Sequence, residues 1–393
     1  MSLTQILWVS VQASKSWSVG LAEQKPENRS MASRVRILNP TGQNFTCHNC
    51  GLCCTTPWKV KVAPERVPTI ESTEHYQHLQ REGFIPLPVV EAETRTGRRQ
   101  DGSCLFRHNN GCAIHGEKGG SAKPVVCQLF PYSLINSPDG YYLSLSFSCP
   151  SVIEGSGTPV SDQLDQISEV VASSSYFPKA PMSPDSHVAL TQQRAVSWRQ
   201  YIDMETDLLE SLNADDPVLN ILKSAVALIY RPFEGQPTVS GDELLSQVQQ
   251  IFPFYACYTI ATLEYPNRQD KADDFCRELM QGRALSSRLL GGKALPPFCL
   301  LRPTDETTTR YIRNFVLGKQ LIAVAPMVAR LLTLSVAIAV FLFYQKARLG
   351  EAETTQEALA WCFHLIEASI LGHSDILAPL YEHFEREVVD RAY

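Results

Sequence analysis

The stretch FTCHNCGLCCTT, residues 45–56, places Cys47, Cys50, Cys53 and Cys54 within eight consecutive positions. Cys104, Cys112, Cys127 and Cys149 follow, so eight of the 12 cysteines lie in roughly a quarter of the chain. Chance does not crowd thiols in this way, which sets inert burial aside for these eight. Disulfides need an oxidising compartment, and neither the length of the chain nor its first residues suggest export. Adjacent Cys53 and Cys54 would also need a tight local fold to find two separate partners. Metal thiolates remain. The other four, Cys257, Cys276, Cys299 and Cys362, stand singly in helical stretches and read as small buried hydrophobes.

The spacing C-x2-C-x2-C lets one tight loop wrap three thiolates around a cubane cluster, with a distant Cys-Pro supplying the fourth. Cys149 is followed by Pro150. On that pattern Cys47, Cys50, Cys53 and Cys149 are the expected ligands of an iron–sulfur cluster of the 4Fe-4S type. Eight thiolates could also close two structural zinc sites of four each. In either case the side chains of Cys53 and Cys54 are expected to point apart and serve different sites. The spacing leans towards iron–sulfur.

Outward from the cysteines the composition changes. Residues 31–150 hold 12 Lys/Arg against 9 Asp/Glu, and residues 151–393 hold 20 against 30. The chain as a whole carries −6 and has no basic run, which argues against nucleic acid as its main partner. WKVKVAP and PVVEAETR alternate like strands, STEHYQHLQREG reads as a capped helix, and YSLINSPDGYYLSLSF is a hairpin around Pro138-Asp139-Gly140. Beyond residue 190 the apolar period becomes helical, with helices expected over 195–212, 216–230, 242–262, 270–289, 305–347, 353–371 and 375–390. The expected class is α+β: a tail over 1–40, a cysteine-rich metal-binding domain with short strands over 41–155, an irregular linker over 156–190, and a helical domain over 191–393.

Two apolar stretches bear on location. ILWVSVQAS near the start has no preceding Lys or Arg and is too short for a secretory signal. The run after Arg330, within LIAVAPMVARLLTLSVAIAVFLFY, is shorter than the roughly 20 residues of a membrane span. A buried helix and a cytoplasmic protein with no membrane span are expected.

The order of motifs then carries a resemblance. C47-H-N-C50-G-L-C53-C54, DGSCLFRHNNGCAIH, KPVVCQLFPY and the closing S-C149-P resemble the YkgJ-type CxxCxxCC family of zinc- or iron-chelating cysteine clusters. The resemblance implies metal binding by all eight clustered cysteines. Two positions depart from the family pattern, Lys123 and Gln128, where relatives carry arginine. The second half is similar to flagellin lysine N-methylases, with Arg313-Asn314 and His373-Ser374 at that family's motif positions and Gly372 replacing a glutamate. That similarity implies S-adenosylmethionine as cofactor and a lysine-bearing protein such as flagellin as partner. The residues alone supply no Gly-rich cofactor fingerprint and no C-x3-C-x2-C radical spacing, since Pro57 stands where a third cysteine would fall. A non-catalytic metal-handling protein with a helical docking domain therefore stands beside the methylase. His115 is a candidate ligand or base, and His48 and His373 are weighed with it; each is more simply a polar structural residue.

Overall fold

Alternation in YSLINSPDGYYLSLSF builds the strongest sheet of the protein. Tyr132–Ser137 pairs antiparallel with Gly140–Leu145, and Ile37–Leu38 joins the far edge of the second strand in parallel. Leu143 in the second strand and Phe147 just beyond it are fully covered. The computed structural model describes residues 35–55, 59–108, 111–174, 177–178, 181–212, 216–229, 239–298, 305–323, 325–348 and 355–372, with 382 and 386. It separates into one unit over Arg34–Ser183 and another that begins at Pro184. The class is α+β.

In the first unit, Thr73 caps the helix Glu74–Arg81 by accepting from the Tyr76 amide at 3.2 Å. The Glu117 carboxylate accepts from the next free amides, Glu74 at 2.6 Å and His75 at 3.1 Å. A negative group at a helix start is favoured by the dipole, and here it ties the helix Ala113–Lys118 to its neighbour. Behind them Val62, Ile70, Tyr76, Phe106, Ile114 and Ala122 form one apolar cluster. Among its described residues WKVKVAP makes an isolated bridge, Lys61 to Arg95, in place of the expected strand. The segment 156–190, expected to be irregular, contains the helix Leu164–Ser173. Its Ile167 and Val171 are spaced one turn apart and both are buried, a period masked by the surrounding Ser and Gly.

The second unit is built on helices Trp198–Ser211, Pro217–Ile229, Gly241–Glu264, Gln269–Met280, Glu306–Leu317, Met327–Arg348 and Thr355–Ile366. Met327–Arg348 is long and apolar enough to cross a membrane, yet its apolar window is wholly buried within the protein. Arg330 sits in it at 2% exposure, donating to the carbonyls of Gln320 at 3.3 Å and Leu371 at 3.0 Å above the Phe315 ring. The single helix expected over 305–347 is two. Gly318 ends the first, Lys319 turns left-handed at φ 61°, and Pro326 precedes the second. The helix expected over 270–289 stops at Met280, and Ser286–Ser287 then pairs with Lys293–Ala294. All of the helix expected over 375–390 except residues 382 and 386 lies outside the described residues, as do His373-Ser374 and Cys299.

Candidate metal centre

The cysteine loop curls because two of its residues take left-handed backbone, Asn49 at φ 51° and Gly51 at φ 70°. Gly51 then starts the single turn Leu52–Cys54, closed by the Cys54 amide on the Gly51 carbonyl at 3.0 Å. The loop presents Cys47, Cys50 and Cys53 to solvent, while Cys54 is half-buried. Inside the loop the Asn49 amide donates to the Cys47 sulfur at 3.4 Å. Lining one cleft are Cys47, Cys50, Cys53 and Cys54 together with Cys112, Cys127 and Cys149. Cys104 is the clustered cysteine that does not line it; it packs with Cys112 against the apolar cluster behind.

Cys149 and Cys112 each stand at the N-cap of a short helix, Pro150–Glu154 and Ala113–Lys118. At Cys149 the backbone N–H groups of Val152 and Ser151 and the Ser151 hydroxyl point at the sulfur. Such donors favour a thiolate or a metal-bound sulfur. Burial nonetheless outweighs them and pushes this thiol up to about 11. Burial also raises Cys104, and pushes Cys127 up to about 12.

The doublet departs from expectation. The thiols of Cys53 and Cys54 do not diverge but share a hydrogen bond. Chiefly through that bond, and with help from the Lys123 ammonium, Cys53 is held down at about 6. Cys54 is raised by the same bond and by burial, so it keeps the proton and donates it. The tight turn that carries both residues brings their sulfurs to one side.

Lys123 and His115 also line the cleft. Lys123 keeps a cation beside Cys53 and Cys127, so its substitution for arginine preserves charge at the thiols. Gln128 does something else: its amide donates to the carbonyls of Lys123 at 2.7 Å and Ser121 at 3.3 Å, bracing the turn before it. His48 also lines the cleft, half exposed, and its Nδ1 stands 3.6 Å from the Glu154 carboxylate. Arg313 and Asn314 lie in the helix Glu306–Leu317 of the other unit, with Asn314 buried in its packing. The sequence reading did not foresee Ser151 or Phe130 in the site; Ser151 carried a faint signal as the residue after Cys149-Pro150.

The seven soft thiols of the cleft, with the His48 and His115 imidazoles and the Lys123 ammonium beside them, suit zinc or iron by donor chemistry. The thiols ring the cleft without meeting at a point: among the described residues no three Cys, His, Asp or Glu side chains already stand in a ligating group.

Residues 46–150 match the family model "CxxCxxCC: Putative zinc- or iron-chelating domain". That match spans all eight clustered cysteines. The chain is also similar to "Uncharacterized protein MJ0939" of Methanocaldococcus jannaschii, at 23% identity over 187 residues. That alignment covers 44% of this chain and 62% of the relative's length. No solved structure matches.

Proposed function

We propose that the first unit is an iron–sulfur centre in which Cys47, Cys50, Cys53 and Cys149 hold the cluster. What supports it is the meeting of Cys149 with the Cys47–Cys54 loop in one cleft, although about a hundred residues separate them. A three-thiol loop plus one distant Cys-Pro is the donor pattern of such clusters. When bound there, the cluster supplies one-electron chemistry. Protein groups set its surroundings: the amides at the start of Pro150–Glu154 face the Cys149 sulfur, and Lys123 offsets thiolate charge. Protein purified without oxygen is expected to be brown, with broad absorbance near ~400 nm and about four irons per chain. Colourless protein that takes up zinc but no iron under anaerobic reconstitution would leave zinc as the chelated metal.

Protein-lysine methylation is the second reading, drawn from the resemblance of the helical half. One observation favours it: His115 and Lys123 line the same cleft as the thiols, an imidazole that could serve as a base next to the proposed metal centre. Methyl transfer from S-adenosylmethionine to a lysine-bearing protein requires a donor site and a base for an amine of pKa near ~10.4. Isothermal titration tests the donor site directly. S-adenosylmethionine is expected to bind the metal-loaded chain and not Cys47→Ser; no heat from loaded wild type would remove the methylase reading and leave metal handling.

A further inference from the structure

The cysteine loop is fastened at both ends, and the two fastenings differ. At the far end the Cys104 amide donates to the Cys54 carbonyl at 2.8 Å. At the near end the chain just before Cys47 is held by residues that lie beyond Cys149. The Phe45 amide donates to the Thr158 carbonyl at 2.9 Å and the Val160 amide to the Gln43 carbonyl at 3.0 Å, with an antiparallel bridge between Asn44 and Pro159. The Thr158 amide donates to the Thr46 hydroxyl oxygen at 3.1 Å. Here the two segments approach so closely that a Cβ on Gly157, at φ 109°, would stand 2.5 Å from that hydroxyl oxygen. Only glycine serves such a place, by its missing side chain and its backbone freedom together.

One side chain ties this junction to the hairpin. Gln163 ends the turn Val160–Gln163. Its amide nitrogen donates to the Phe45 carbonyl at 2.8 Å and to the Thr158 hydroxyl at 3.2 Å. Its amide oxygen accepts from the Tyr132 hydroxyl, so both ends of the amide are engaged. The Tyr132 ring meets Phe45 edge-on, with centroids 5.6 Å apart. Phe45 is 5% exposed and lines the thiol cleft, just ahead of Cys47. Cys47 and Cys149 are the thiols whose charges reach the Tyr132 hydroxyl, which places the junction beside the first and last cysteines of the set.

We propose that Gln163 and Tyr132 are positioning residues for Cys47: together they fix the backbone that carries this thiol and so aim it at the metal beside Cys149. The proposal rests on the reading of this unit as a thiolate metal centre. It extends the working unit past the family match at 46–150, since Gly157, Thr158 and Gln163 all lie beyond it. A ligand whose backbone is already fixed has less freedom to lose on binding. Groups that orient a ligand without touching the metal commonly change its hold by about 10–100-fold.

Full-length protein is loaded anaerobically with ferrous iron and sulfide, or with zinc where iron is not taken up. Pulsed alkylation with peptide mass analysis then follows each thiol. Metal is expected to protect Cys47 in wild type. Gln163→Met keeps the side-chain length and removes its polar contacts; Cys47 is expected to react about tenfold faster there, with Cys50 and Cys149 at their wild-type rates. Tyr132→Phe leaves the ring against Phe45 and removes only the hydroxyl, so it should speed Cys47 selectively by a smaller factor. That selective change carries the proposal even where Gln163→Met loosens the whole unit. A merely structural contribution would speed all the clustered thiols together, and that result in both variants would overturn the assignment. So would a Cys47 rate left unchanged in Gln163→Met, with metal binding intact. Cys47 equally reactive in loaded and stripped wild type, or a chain that takes up neither metal, would sink the metal-centre reading and the proposal with it.

Discussion

Glu205 and Lys319, separated by 114 positions, form a buried ion pair at about 5% and 3% exposure. Tyr201 donates to the other carboxylate oxygen at 2.7 Å, and the ammonium sits 5.9 Å from the Trp198 ring and 5.7 Å from that of Tyr201. Burial raises the Glu205 carboxyl, and only the ammonium and the hydrogen bonds pull it back. Lys319→Met therefore strands a buried carboxylate and should cost about 3–5 kcal/mol at neutral pH. The sign of the pH dependence follows from the folded pKa lying above the unfolded one. The carboxyl takes up a proton on folding, so the variant's deficit shrinks as pH falls through the raised folded value towards the ordinary value near 4.5. Denaturant melts across that window check it, and a deficit that grows on acidification would contradict the assignment. Glu205→Gln combined with Lys319→Met should recover most of the loss, because no charge is then left unpaired. No period or motif announces such a pair, and only tertiary packing brings it together. The cysteines are the opposite case, since their crowding shows in the sequence itself. What spacing could not show was the Cys53–Cys54 hydrogen bond, because the turn Leu52–Cys54 depends on the left-handed Gly51.

Among elements, the hairpin Tyr132–Ser137/Gly140–Leu145 was legible because period-2 alternation and a Pro-Asp-Gly turn agree. The parallel addition of Ile37–Leu38 was not, since two residues carry no pattern. Gly140 makes that addition possible. Its φ is 127°, and a Cβ there would stand 2.7 Å from the Arg36 carbonyl oxygen, the same oxygen that accepts from Tyr141 at 2.9 Å. Gly42 also has a positive φ, 60°, but a Cβ there would meet nothing within 4 Å. Gly42→Ala should therefore cost only the left-handed penalty, about 1–2 kcal/mol. Gly140→Ala should cost clearly more, because the parallel strand must shift as well. Equal denaturation midpoints for the two variants would show that the close approach to Arg36 contributes nothing. The long helices fared differently. Their existence was clear from apolar period, whereas the break after Glu306–Leu317 turns on Lys319 adopting a left-handed backbone that no propensity scale assigns to lysine.

For the whole molecule, the division of stabilising forces follows the division into units. The unit beginning at Pro184 has an apolar interior running through Met327–Arg348, where every side chain from Met327 to Tyr344 is buried. The unit Arg34–Ser183 spends much of its chain on strands of two residues and single helical turns, and its buried side chains fall in patches, such as the Val62, Ile70, Phe106 and Ile114 cluster and Leu143 and Phe147 near the hairpin. Short elements of this kind nucleate poorly, so thiolate–metal bonds are expected to add to their stability. The thiols raised by burial at Cys104, Cys127 and Cys149 point the same way: metal binding displaces their protons, and the resulting metal-bound sulfurs need no solvent. Removing metal by prolonged chelation under reducing conditions should therefore act on one unit. Hydrogen exchange is expected to show amide protection lost at Gly111–Cys112, Val125–Leu129 and Pro150–Glu154, with protection retained along Met327–Arg348. The same chelation should become easier as pH falls, since protons compete with metal for each thiolate. Protection lost equally from both units would mean that the helical core depends on the metal too, and protection lost from neither would mean that the cysteine unit folds on its apolar cluster alone.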